Sequence, residues 1–460
     1  MFFSRILPYG SLFALAASQD VLTLSGTSIG TSSAAVPTGN YISYSSTSTR
    51  PSTSAITTSA IVSTISSGST TRTTTLGSTT LFGVGGSIIT ASNGTATATS
   101  TSEDSQLFLT GRPQTTLSVN GTMNGTATET TSTAPQPTNT TPCNNYVEFC
   151  GRSYGNITEV AAHNSPFIRP GNAASNQALD VTTQLNDGVR LLQGQMHFVG
   201  DVPHFCHNSC DMLDAGPIAD YLSTVYDWVH SHPYDVITIL LGNGAYNAVT
   251  TYQPFIEQSN LQNYAYIPPK IPMGLNDWPT LASMILSAKR VVFFMDYEAN
   301  QTAVPWILDE FSQMWETPFD PVDRDFPCTV QRPPDLAEEQ AKNRLYLMNH
   351  NLNYDINLLG NSILVPNIPL LNVTNNVTGF GSLGNATADC NSTWNFPPKF
   401  LNVDYYNVGN GTVFEVAAKY NNVTYTRECC GLPASAAMSA YERTTWLAMV
   451  CAIGVGYLLL

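Results

Sequence analysis

Histidine can give or take a proton near neutrality because its unperturbed pKa is about 6.5. Of the seven histidines in this 460-residue chain, His163, His197, His204 and His207 fall between Ala162 and Cys210. His163 ends a short apolar run and opens His163-Asn164-Ser165-Pro166, while His207 sits in Cys206-His207-Asn208-Ser209-Cys210. Two imidazoles on one rim can divide a reaction between a general base and a general acid. The stretch between them holds Arg190, Gln193 and Gln195. Strand alternation puts Gln193, Gln195 and His197 on one face and Arg190 on the other. If the glutamine face points into the fold, Arg190 is left to an ion pair outside it.

The elements that must position these residues read as helices alternating with buried strands. A strand over Asn156–Ala162 leads into His163. Ser175 is placed to cap a helix running through Asn186, with Gly188 as its stop. Val189–Phe198 reads as a strand. Pro217 starts a helix with Ile218, Leu222, Val225 and Val229 on one face, ended by His232-Pro233. Val236–Leu241 and Arg290–Asp296 are near-continuous apolar runs, as expected of parallel strands buried on both faces. A helix over Leu281–Ser287, a helix over Asp335–Asn343, and strands over Leu345–Met348 and Phe400–Asp404 continue the pattern. Repeated units of this kind define a parallel barrel or a doubly wound sheet. His163, Gln195, Asp296, His350 and Asp404 stand at or near strand C-termini, where a (β/α)8 barrel carries its site.

Composition divides the chain. Residues 19–142 are dominated by Ser, Thr, Gly and Ala, and such a stretch cannot bury enough apolar surface to offset the entropy of ordering it. Its expected role is an unstructured, O-glycosylated stalk. Residues 143–433 hold nearly all the Trp, Tyr and Phe and suit one α/β domain. The net charge is −15, with no cluster of Lys or Arg. Nucleic acid is therefore excluded as a partner, since its affinity rests on phosphate neutralisation. Residues 1–18 read as a signal peptide. At 434–460, small residues around Ser435, a polar spacer and a terminal apolar run read as a glycosylphosphatidylinositol (GPI) attachment signal, with Ser435 the nominal site. Apart from Cys451 in that tail, eight cysteines remain, an even number suited to disulfides outside the cell. Cys143–Cys150 and Cys206–Cys210 are the expected short-loop pairs, and the rest stay open. Sequons at Asn93, Asn120, Asn124, Asn139, Asn156, Asn300, Asn372, Asn376, Asn385, Asn391, Asn410 and Asn422 fit a glycoprotein carrying N-glycans.

Several of these segments together carry a resemblance. They are His163-Asn164-Ser165, Asn186-Asp187-Gly188-Val189-Arg190 with its strand, Cys206-His207-Asn208-Ser209-Cys210, Pro233-Tyr234-Asp235-Val236-Ile237-Thr238, and Asn402-Val403-Asp404. In these the chain resembles the phosphatidylinositol-specific phospholipase C X-region superfamily, in its fungal and plant branch of PLC-like phosphodiesterases. The resemblance implies an irregular (β/α)8 TIM barrel. It also implies cleavage of an inositol phospholipid or related phosphodiester, with His163 as general base, His207 as general acid and Asp404 orienting His163. Asn164, Gln193, Gln195, His204 and His350 are the expected substrate-binding residues. Ca²⁺ is the cofactor that some relatives use, but its usual carboxylate ligands are not evident, and no residue is assigned to a metal. Gln193 and Gln195 stand where relatives carry Ca²⁺-binding carboxylates or an Arg, and Asn164 where bacterial relatives carry Asp.

The expected protein is thus secreted, attached to a membrane or cell wall, and acts on a phospholipid. The competing reading is a catalytically silent barrel, a surface binding or structural glycoprotein. A glycoside hydrolase on the same barrel would need two facing carboxylates, and nothing in the sequence pairs Asp296 with Asp404.

Overall fold

The computed structural model describes residues 41–44, 46–49, 54–67, 70–83, 108–112, 141–358 and 361–431. The signal peptide and GPI signal expected at the two ends lie outside them.

Eight parallel strands form the body: β1 (Glu159–Ala162), β2 (Leu191–Val199), β3 (Ile237–Asn243), β4 (Val291–Met295), β5 (Ile307–Asp309), β6 (Met314–Glu316), β7 (Leu345–Asn349) and β8 (Phe400–Val403). Their ladder order is β5-β4-β3-β2-β1-β8-β7-β6. Apart from β5 and β6, each strand thus pairs with its neighbours in sequence, and β8 pairs with β1. This is the circular order of a TIM barrel rather than of a doubly wound sheet. The irregularity is local: among the described residues no ladder joins β5 to β6, and the one-turn helix Glu310–Gln313 links them.

The apolar runs become strands buried on both faces. Leu191, Leu240, Val292, Phe294, Leu345, Leu347 and Phe400 pack inside, over a floor of Tyr154 and Trp278. Their alternates Leu192, Ile239, Leu241, Phe293, Met295, Tyr346 and Leu401 pack outward in the second, larger cluster. Helices α1 (Val181–Asp187), α2 (Ile218–Ser231), α3 (Val249–Glu257), α4 (Leu281–Leu286), α5 (Leu383–Trp394) and α6 (Thr412–Tyr420) follow in chain order. α2 buries Ile218, Leu222, Val225 and Val229, the face its periodicity marks. At the N-terminal end of the barrel, Lys399 Nζ lies 2.6 Å from Glu159 Oε2, both buried, and 4.2 Å from the centre of the Tyr154 ring.

Two helix expectations need correction. α1 begins at Val181, capped by Asp180, whose Oδ1 accepts from Thr183 N at 3.0 Å. Ser175 is not its cap but donates to Arg169 O at 2.6 Å, so Ser175-Asn176-Gln177 is free to fold over the rim. Of the helix expected over Asp335–Asn343, only the turn Glu338–Ala341 forms. Asp335 has φ of +57°, which a helix does not accommodate.

Ser54–Ser67, Thr70–Gly83 and Phe108–Arg112 form a three-stranded antiparallel sheet, with Ser67 opposite Thr70. Thr, Ile and Val are β-branched and favour strands even where composition offers little core. Among the described residues the disulfides are Cys143–Cys150, Cys206–Cys210, Cys328–Cys390 and Cys429–Cys430.

Candidate active site

The rim at the C-terminal ends of β8, β1 and β2 gathers the polar residues. His163 follows β1, and its backbone N donates to Val403 O, which extends the β1–β8 ladder by one residue. Its Nδ1 lies 2.7 Å from Oδ1 of Asp404, whose side chain is 1% exposed. With Nδ1–H donating to the carboxylate, Nε2 keeps its lone pair toward the cleft. Asn351 Nδ2 stands 3.4 Å from that Nε2.

A loop from the β1–α1 connection braces this pair. Asn176 Nδ2 donates to Asp404 Oδ1 at 2.9 Å, and its Oδ1 accepts from Asn164 Nδ2 at 3.2 Å. Gln177 Nε2 donates to His163 O and to Val403 O, each at 2.9 Å. Asn375 Nδ2 donates to the Asp404 and Tyr405 carbonyls from the far side. Sequence reasoning missed all three. The only signal was polar residues in a loop, because the contacts appear only once the chain doubles back.

His207 arrives by another route. β2 runs on into a hairpin with Val202–Cys206, and His207 follows in the loop closed by Cys206–Cys210. Gly194 makes that packing possible: a Cβ there would lie 2.7 Å from the Phe205 ring. His207 is buried, with Phe167 edge-on to its ring, and its Nδ1 has no protein partner. Burial, and then the neighbouring His163 charge, push its pKa down to about 4, with Asp404 pulling the other way.

The glutamine face does point inward. Gln193 Oε1 accepts from Asn402 Nδ2 at 3.1 Å, and Gln195 Oε1 lies 3.2 Å from His197 Nε2. Arg190 points out of the barrel: its NH2 is 2.6 Å from Asp235 Oδ1, and its NH1 donates to Leu185 O and Val189 O. His204 Nδ1 is held by Asp214 at 2.9 Å.

His350 is the site expectation that the geometry corrects. Strand alternation on β7 turns Asn349 inward, where it donates to Glu316 Oε2, and sends His350 outward. His350 is fully buried against Phe326, with its Nε2 at 3.0 Å from Thr374 O, and burial drives its pKa to about 3. It has no path to a ligand in the cleft.

The interior below β4–β6 holds a charged group that sequence reasoning only touched through Asp296. Arg332 NH2 pairs with Glu316 Oε2 at 2.7 Å. Asp296 accepts from the backbone N of Asn243 and of Tyr297, and burial raises its pKa to about 6. Glu310 is pushed well above the carboxylate range, first by burial and then by Glu316. Asp320, on the loop after β6, is raised by burial to about 6 against the opposing pull of His163.

The fit to a divalent cation is poor. Gln193, Gln195 and Asn164 are neutral amides, and the Gln193 oxygen already accepts from Asn402. Ca²⁺ sites are built chiefly from carboxylates. Among the described residues no group of three or more His, Cys, Asp or Glu could hold a metal ion.

The eight parallel strands in circular order, with a polar rim at their C-termini, make the domain TIM-barrel-like. Residues 149–421 match the PI-PLC X domain (PI-PLC X 1), and the chain belongs to that family. It is 58% identical over 326 residues to a protein of Arthroderma benhamiae named "Uncharacterized secreted protein", a match covering 70% of this chain and 73% of that relative. A second protein of that fungus, "PI-PLC X domain-containing protein 1", is 38% identical over 271 residues, covering 58% of this chain and 86% of the relative. Among solved structures, phosphatidylinositol-specific phospholipase C from Listeria monocytogenes aligns at 14% identity and a TM-score of 0.41, covering 59% of this chain and 95% of that one.

Proposed function

We propose that the protein is a phosphoric diester hydrolase of phospholipase C type, acting on an inositol phospholipid or a related phosphodiester. The observation that carries this reading is the His163–Asp404 pair on one rim with His207, a second imidazole close enough to feel its charge. A substrate hydroxyl next to the phosphate gives its proton to His163 Nε2, and its oxygen bonds to phosphorus. The phosphorus–alkoxide bond breaks, and the leaving oxygen takes a proton from His207. The first product is a cyclic phosphodiester. Asp404 holds the His163 tautomer and stabilises the imidazolium that forms. Asn164, Gln193 and Gln195 supply neutral amide donors toward the phosphoryl oxygens, and no step passes through a metal.

His207 must be charged to act as the acid, and the free protein holds it neutral at pH 7. A bound phosphate anion within a few ångströms favours the imidazolium and raises that pKa. Head-group release from phosphatidylinositol vesicles, in a chelator and across pH 4 to 8, tests the reading. The amide-lined rim favours a second reading, a surface glycoprotein that binds a phosphoinositol without turnover. Saturable binding with no product in that assay would establish it.

Secretion, cell-surface attachment through the C-terminal signal and glycosylation belong to the same proposal. Four disulfides, a relative named as secreted, and exposed sequon residues Asn156, Asn300, Asn372, Asn376, Asn385, Asn410 and Asn422 support it. Among the described residues no helix is long and apolar enough to cross a membrane.

A further inference from the structure

The seam between β5 and β6 is met, at the turn that joins them, by a piece of chain from far outside the family domain. Ser48–Thr49 pairs antiparallel with Lys270–Ile271, on the connection between α3 and α4. A few residues earlier, the Tyr41 ring packs edge-on against Tyr297, at 5.6 Å, and Phe311, at 5.0 Å. The two hydroxyls of Tyr41 and Tyr297 lie 3.3 Å apart. Tyr297 follows β4, and Phe311 sits in the turn that links β5 to β6. The segment therefore packs against the turn that joins β5 to β6, where no ladder forms among the described residues. Behind it lies the buried Arg332–Glu316 pair, with the Arg332 guanidinium 5.1 Å from the same Phe311 ring. A low-dielectric site strengthens such a pair, and water entering at the seam would weaken it.

The other end of the Ser/Thr-rich stretch is fixed to the same body. Asn144 Nδ2 donates to Glu159 Oε1 at 2.6 Å and to Val236 O at 2.9 Å, and its Oδ1 accepts from Val236 N at 2.6 Å. Cys143–Cys150 closes the adjoining loop. Both ends of the tract 50–140 are therefore held by one barrel.

We infer that the β5–β6 seam is a docking groove for an extended, tyrosine-bearing segment, that residues 41–49 of this same chain fill it, and that the Ser/Thr-rich tract is a loop tied to the barrel at both ends rather than a stalk leading up to it. Main-chain pairing at Lys270–Ile271 and the aromatic contact at Phe311 are the two anchors, as in recognition by strand addition. Tethering costs little, because loop-closure entropy rises only slowly with length. The inference is independent of any catalytic activity.

Hydrogen exchange on the full-length secreted protein tests it. Peptides covering 41–49 should exchange about a hundredfold more slowly than the same sequence in a free peptide. Tyr41→Ala should abolish that protection while leaving β1 and β8 protected. In parallel, protein nicked by a protease within 50–140 should keep its N-terminal piece on the barrel through native gel filtration and release it in denaturant. Free-peptide exchange at 41–49 in the wild type, or loss of the piece under native conditions, would overturn the inference.

Discussion

His207 is neutral in the free protein because burial and the His163 charge both penalise its imidazolium. An acid with a pKa of about 4 loses its charged form tenfold per pH unit above that value. The alkaline limb of kcat/KM reports the free enzyme, and that of kcat reports the substrate complex. The limb should therefore fall at lower pH in kcat/KM than in kcat, since a bound phosphate raises the His207 pKa. Coincident limbs would contradict the assignment. Asp404→Ala, which removes the group that orients His163, should cost up to about 10⁴ in kcat, as measured by initial rates. The imidazole pair was legible because His163-Asn164-Ser165 and Cys206-His207-Asn208-Ser209-Cys210 are local patterns. The error at His350 came from reading strand end as site: a shift of one residue on β7 exchanges cleft for core. Asn176 and Gln177 left no local pattern, because their partners, Val403 and Asp404, lie more than two hundred residues away.

The barrel strands with long apolar runs were readable from buried-strand periodicity alone. β5 and β6 were not: with three residues each they complete no pattern, and their burial comes from the elements around them. The seam they leave was invisible for the same reason. Asp309, at the end of β5, caps the turn that joins them by accepting from Ser312 N at 3.0 Å. Burial raises its pKa to about 7. A raised carboxyl pKa favours the fold fully below the unfolded value of about 3.9, and that contribution is lost as pH rises through the folded value. Asp309→Asn keeps an acceptor and removes the titration. Relative to wild type it should gain stability between pH 5 and pH 8, on the order of 2 kcal/mol, read from denaturant midpoints at the two values. A gain equal at both would contradict the burial argument. Lys399→Met at the barrel floor should cost roughly 3–5 kcal/mol, because Glu159 is left buried with its charge unpaired. Thermal unfolding of the two proteins measures it.

At the scale of the molecule, the anionic surface and the disulfides suit an extracellular protein, and the Ser/Thr-rich tract changes meaning once both its ends are placed. Composition could identify the tract but not its attachment, since Tyr41 and Asn144 meet the barrel through contacts no local pattern encodes. The amide-lined rim sets the other global expectation: head-group release should be insensitive to a chelator such as EDTA, because Gln193 and Gln195 offer no carboxylate to a cation. The most direct test of the central claim is the release of phosphorylated head group from phosphatidylinositol vesicles by the wild type, His163→Ala and His207→Ala. Measurable release by the wild type and a loss of about 10²–10⁴ in each variant are expected, with the variants' folds intact by circular dichroism. No release by the wild type at any pH from 4 to 8, or variants as active as the wild type, would contradict that claim.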